Sequence, residues 1–159
     1  MLASARPDPD GLLKVDGFSP ESFDRILLDP PCSALGLRPK LRISQKSQKD
    51  LLSYANYQTR LVEQAVQLLK PGGRLVYSTC TLHARENEGM VRHILDTYGT
   101  VMDLVSISIP IGGPGLTGHG LSSPDCAKVR RFDPTETDTM GFFIAAFTKR
   151  KEDSRVTSC

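Results

Sequence analysis

Two cysteines stand directly after two apolar runs of strand length, Cys32 in Asp29-Pro30-Pro31-Cys32 and Cys80 in Ser78-Thr79-Cys80, 48 positions apart. A cysteine in such a place is either a small buried apolar group or, once ionised, a nucleophile. Ligands of open α/β sheets bind outside the carboxyl ends of the strands. If the two runs are parallel neighbours, their ends lie ~5 Å apart and both thiols face one cleft, with the Asp29 carboxylate beside them. A thiolate, a carboxylate and a cleft suggest nucleophilic catalysis, although Asp29 also reads as a helix cap. A cysteine hydrolase would need a histidine base, and the histidines are His83, His93 and His119. His93 falls within a helical stretch and His119 in a glycine-rich one. His83 is near Cys80 in sequence but brings no separate orienting group, so hydrolysis is the weaker reading.

The elements that must position these groups are legible as periodicity. Phe23 to Leu28 is a strand stopped by Asp29-Pro30-Pro31, since prolines cannot continue a ladder. From Ser47 to Leu69 apolar residues recur at three and four, with Ser47 and Asp50 as a capping-box start, and Lys70-Pro71-Gly72-Gly73 stops the helix. Arg74 to Ser78 is a second strand, and the intervening helix makes a crossover of the length that parallel pairing needs. Glu86 to Tyr98 reads as a helix with Glu86 and Glu88 in its opening turn. Val101 to Ile109 and Gly141 to Thr148 are further strand candidates. Pro110 to Pro124 is too broken for a regular element.

This is an α/β pattern without an opening strand, glycine-rich turn and helix to cradle a nucleotide, so the chain is expected to begin within a larger fold. We divide it into an irregular lead-in (1–22), a partial catalytic domain (23–148) and a polar tail (149–159). The 159 residues carry 20 Lys and Arg against 18 Asp and Glu, a formal charge of +2, too small alone to declare a nucleic-acid partner. No apolar run approaches the ~18 residues of a membrane span. The four cysteines, at 32, 80, 126 and 159, form no CxxC pair, which suggests neither a metal site nor a disulfide scaffold. Reduced thiols in the cytoplasm or nucleus are the expectation.

Asp29-Pro30-Pro31 resembles the Asp/Asn-Pro-Pro-aromatic motif of amine methyltransferases, but the fourth residue is Cys32, which shifts the chemistry from amine to carbon alkylation. In order, Phe23 to Ser33, Leu69-Lys70-Pro71-Gly72-Gly73, Tyr77-Ser78-Thr79-Cys80-Thr81, Glu86-Asn87-Glu88, Arg131-Phe132-Asp133-Pro134 and Gly141 to Ala145 are similar to the NOP/Sun (NSUN) RNA cytosine-5 methyltransferases. Ile111-Gly112-Gly113-Pro114-Gly115 and Gly120-Leu121-Ser122 look most like the sixth, tRNA-directed branch. The resemblance implies the C-terminal half of a Rossmann-like class I fold that uses S-adenosylmethionine. It implies Cys80 as the nucleophile, Cys32 as the group that helps release product, and Asp29 as a contact for cytosine N3 and for the cofactor.

Two positions depart from the family pattern: Pro30 and Ala34 replace the usual Ala and Gly, stiffening the loop and adding a methyl group near the base. Arg38, Lys40, Arg42, Lys46 and Lys49 follow the Cys32 loop, and beside a base-modifying cleft we read Arg38, Lys40 and Arg42 as contacts for RNA phosphates. Gly113 to Gly118 matches GxGxxG literally but precedes no helix, so it reads as a surface loop. The alternative to an enzyme is a non-catalytic RNA-binding or partner-binding product, since the chain alone is expected neither to bind S-adenosylmethionine nor to methylate RNA.

Overall fold

The computed structural model describes residues 17–38, 46–136 and 138–151, together with the backbone of two short strands, β1 (Ala5–Pro7) and β2 (Leu13–Val15). These two pair antiparallel, Ala5 opposite Val15. The lead-in thus holds a hairpin where the sequence suggested only irregular chain; three-residue strands are too short to show alternation.

Among the described residues five strands form one sheet: β3 (Phe23–Leu28), β4 (Leu69–Thr79), β7 (Phe142–Lys149) and β5 (Met102–Val105) in that order, with β6 (Arg130–Phe132) also paired to β7. β3 and β4 are parallel, with Ile26 opposite Leu75 and Leu28 opposite Tyr77, as the crossover length requires. β7 runs antiparallel to β4, β5 and β6.

α1 (Gln48–Leu68) starts at the expected capping box: Asp50 N–H donates to Ser47 Oγ at 3.2 Å, and Ser47 N–H to the Asp50 carboxylate at 3.0 Å. Its end differs slightly from expectation. Lys70-Pro71-Gly72-Gly73 is absorbed into β4 as an irregularity, because Phe23 pairs with Leu69 while Arg25 pairs with Arg74. Gly72, at φ +81°, supplies the positive φ of that bend.

α2 (Glu88–Tyr98) follows a 3₁₀ turn at Ala84–Glu86, and α3 (Ser123–Lys128) is capped by Ser122. α3 and β6 lie in and just after the stretch read as too broken for regular structure; each is too short for a periodic signal. The third strand candidate shrinks to β5.

Side-chain alternation sets the layers. Ile26, Leu28, Leu75, Tyr77, Ala145 and Phe147 share the sheet face that packs on Val62, Ala65 and Val66 of α1 and on Met90, Val91 and Ile94 of α2. Leu27 points the other way and is 73% exposed. No helix among the described residues is long and apolar enough to cross a membrane.

Phe147 is fully buried opposite Leu75 and Leu104. Phe147→Ala is expected to cost about 3–5 kcal/mol, against about 1 kcal/mol for Ser47→Ala. Urea unfolding of the two variants checks both values; equal effects would show that the sheet face is not the principal core.

Candidate active site

The parallel register puts the carboxyl ends of β3 and β4 side by side, and the reactive groups follow directly. Asp29 leaves β3 exposed, with one carboxylate oxygen accepting from Ser78 Oγ of β4 at 3.3 Å. Two prolines turn the chain, and Cys32 Sγ then lies 3.3 Å from Cys80 Sγ. Both thiols are free and half-buried. The structure therefore joins the three sequence-predicted catalytic residues at one sheet edge.

Burial, followed by the hydrogen bond to Cys80, raises the Cys32 pKa to about 11. Cys32 thus holds its proton near neutral pH and can donate S–H to Cys80 Sγ. The His83 ring turns its Nδ1 toward Glu86 Oε1, at 3.5 Å.

The loop after Cys32 is held by backbone-to-backbone approach. Gly36 N–H donates to Cys80 C=O at 3.0 Å, and Gly141 N–H to Gly36 C=O at 2.9 Å. A β-carbon on Gly36 would sit 2.3 Å from Gly141 O, and one on Gly141 would sit 2.7 Å from Gly36 Cα, so both positions require glycine. Ala34 adopts φ +54°, a region costly for a side chain with a β-carbon. This is a physical reason for the glycine usual at that place.

Sequence reasoning missed the polar groups beneath the thiols. Glu86 and Glu88 are expected in the opening turn of a helix with no burial assigned to them, yet both are fully buried, as is Asn87 between them. Glu86 accepts from Ser33 N–H at 2.9 Å, from Ser33 Oγ, and from Gln58 Nε2 at 3.0 Å. Asn87 accepts from Thr79 Oγ1 at 2.6 Å and donates to Thr81 C=O at 2.9 Å. Glu88 pairs with Arg131 at 3.0 Å and takes the Leu116 N–H at 2.9 Å, while Arg131 also donates to Leu82 C=O. Only the offset of Glu86-Asn87-Glu88 from a solvent-facing helical stripe could have signalled their burial.

Of the basic residues, Arg38 is exposed in the loop after Cys32, whereas Lys40 and Arg42 lie outside the described residues. Lys46 donates to Tyr54 Oη at 2.9 Å. The GxGxxG stretch is mostly exposed, anchored by the pairing of Gly113 with Arg131. No helix opens directly after it. Among the described residues no group of three or more His, Cys, Asp and Glu is placed to hold a metal ion.

The profile of the 16S rRNA methyltransferase RsmB/F family matches residues 9–148. The chain belongs to the RsmB/F methyltransferase family. This RsmB/F chain is 46% identical over 151 residues to the rRNA (cytosine-C(5))-methyltransferase NOP2C of Arabidopsis thaliana, covering 88% of the chain and 25% of the relative. It is 41% identical to human NSUN6, a tRNA (cytosine(72)-C(5))-methyltransferase, covering 84% of the chain and 33% of the relative. It thus spans about a quarter to a third of the length of these curated relatives.

The solved NSun6 of Pyrococcus horikoshii with SFG superposes with a TM-score of 0.66 at 44% identity, covering 79% of this chain and 30% of that one. The sheet is accordingly part of a Rossmann-like methyltransferase fold, as the sequence implied.

The pKa of Cys32 has a direct readout. Its rate of alkylation by iodoacetamide, followed by peptide mass spectrometry, should still be rising steeply at pH 10 and reach about half its maximum near pH 11. A plateau already reached below pH 9 would show that burial does not hold the proton on this thiol.

Proposed function

We propose that this chain carries the thiol machinery of an S-adenosylmethionine-dependent RNA cytosine-C5 methyltransferase, with tRNA as the substrate class. The observation that carries the reading is the 3.3 Å approach of two thiols from separate strand ends. The names of the relatives support it, being cytosine-C5 methyltransferases of tRNA and of rRNA.

Cytosine C5 is too weakly nucleophilic to be alkylated directly. Addition of the Cys80 thiolate to C6 forms a C–S bond and pushes the ring electron pair toward C5. Charge that develops toward N3 is offset by a proton shared between N3 and a carboxyl group near the ring, the role assigned to Asp29. After C5 is alkylated, its proton is removed and the C6–S bond breaks, returning the electron pair to Cys80. Cys32, protonated at rest and in contact with Cys80 Sγ, is positioned to assist that departure.

S-adenosylmethionine, when bound, supplies the electrophilic methyl group. The chain's own residues fit one side of it: Asp29 is exposed at the end of β3 and has an oxygen beyond the one that Ser78 reaches, suited to a cationic or hydroxyl donor. SFG, an S-adenosylmethionine analogue, accompanies the solved NSun6 relative. Arg38, Lys40 and Arg42, following the Cys32 loop, are assigned to RNA phosphates. A reaction that depends on two free thiols suits a reducing compartment, the cytoplasm or nucleus.

In the complete protein, Cys80→Ala is expected to abolish methylation and covalent RNA capture. Cys32→Ala should instead accumulate RNA linked to Cys80, because addition continues while release is slowed. Denaturing gels with labelled tRNA and rRNA check this. A stable adduct in Cys80→Ala, lost in the double variant, would reverse the two roles; methylation of rRNA alone would overturn the substrate class.

A further inference from the structure

Beneath the two thiols, adjacent side chains of one short segment each grip one cysteine loop. Asn87 holds the residues on both sides of Cys80, through Thr79 Oγ1 and Thr81 C=O. Glu86 holds Ser33, the residue after Cys32, through both its N–H and its Oγ. The residue before Cys32 is held as well: Gln58 Nε2 donates to Pro31 C=O at 3.1 Å and to Glu86 at 3.0 Å.

The two grips are joined by a one-way chain of hydroxyls. His83 N–H donates to Thr81 Oγ1 at 3.2 Å, Thr81 Oγ1 meets Ser33 Oγ at 2.7 Å, and Ser33 Oγ donates to Glu86. Such chains polarise one another and resist partial disruption. From below, the Tyr77 hydroxyl donates to Glu86 C=O at 2.7 Å. Burial pushes its pKa well above the ordinary phenol value, so it remains a donor.

Glu86 is an expensive residue to keep here. It is fully buried, and among the described residues its one ion-pair contact is His83 Nδ1 at 3.5 Å. Neutral donors otherwise satisfy it. A buried carboxylate without a strong cation contributes little net stability. Its geometric effect is specific, because the atoms it binds flank Cys32 on one side and reach Thr81, next to Cys80, on the other.

We propose that Glu86 is a positioning residue for the two-thiol reaction. It locks the Cys32 loop against the Asn87-held Cys80 loop and so sets the distance on which release of Cys80 from the product depends. This rests on the cysteine roles assigned above. Fully buried, Glu86 acts through Ser33 on Cys32.

The test compares Glu86→Gln with wild type in the complete protein. Glutamine keeps the shape but replaces one acceptor oxygen by a donor facing Ser33 or Gln58. We expect kcat to fall about 100-fold with KM for RNA changed by less than about twofold, and the Cys80-linked RNA adduct to accumulate as in Cys32→Ala. A loss of folded enzyme alone would lower adduct formation and turnover together, and that result would overturn the proposal.

A second measurement needs no methylation. Equilibration with glutathione disulfide converts two protein thiols to a Cys32–Cys80 disulfide and releases two glutathione thiols, and mass spectrometry gives the effective concentration of one thiol for the other. Glu86→Gln should lower it by about tenfold; an unchanged value with unchanged kcat would overturn the positioning role. Wild-type protein without methylation or adduct would refute the function while the thiol measurement still decides the role of Glu86. If Glu86→Gln does not fold, Ser33→Ala, which removes only the hydroxyl between Thr81 and Glu86, is read by the same two criteria.

Discussion

Leu28 stands opposite Tyr77 in a parallel ladder, and the site follows from that pairing. One residue beyond it Asp29 meets Ser78, and four and three residues beyond it the chains deliver Cys32 and Cys80 to thiol contact. A slip of one residue would turn Leu28 and Ile26 out of the core and separate the thiols. The register is specified by the buried face that Ile26, Leu28, Leu75 and Tyr77 share, and by the length of α1. The chemistry is thus placed by apolar packing that contains no reactive group.

Closing the last few ångströms falls to polar contacts of two kinds. Gly36 and Gly141 let backbone lie on backbone at the mouth of the site. Below, Glu86 and Glu88 bury carboxylates by different means: Glu88 against the Arg131 guanidinium, Glu86 against amide and hydroxyl donors. The first is a charge pair that ties α2 to β6 and the Leu82 carbonyl. The second is a directional network whose partners are the neighbours of the cysteines. Pro30 and Ala34 sit in the same loop, and the positive φ of Ala34 stores strain between Asp29 and the Gly36 anchor.

What the sequence disclosed and what it hid divide along physical lines. α1 was legible from its periodic apolar face, β3 and β4 as apolar runs of strand length, and α2 from its acidic start and Gly99 at its end, while Ser47 with Asp50 marked a helix start that the structure keeps. Asp29 and Cys32 were legible because they flank the prolines, Pro30 and Pro31, that end β3, and Cys80 because it follows the second apolar run directly. The β1–β2 hairpin, α3 and β6 were not, since three to six residues carry no measurable period. The burial of Glu86, Asn87 and Glu88 ran against the ordinary reading of charges at a helix start, which expects solvent and the helix dipole. The network competes with that preference and prevails because Ser33, Gln58 and Arg131 arrive from distant positions in the chain. Gly36 and Gly141 carry no local signal of their mutual contact, 105 residues apart in sequence.

The central claim is that Cys80, not Cys32, forms the bond to the base. RNA carrying 5-fluorocytosine tests it most directly, because a C5 fluorine cannot leave as a proton and the C6–S bond persists. After incubation of the complete wild-type protein with S-adenosylmethionine and this RNA, nuclease and protease digestion followed by mass spectrometry locates the nucleotide. The account predicts that it is found on the peptide containing Cys80, with Cys32 unmodified. A nucleotide attached to Cys32, or no covalent product at all, would contradict it.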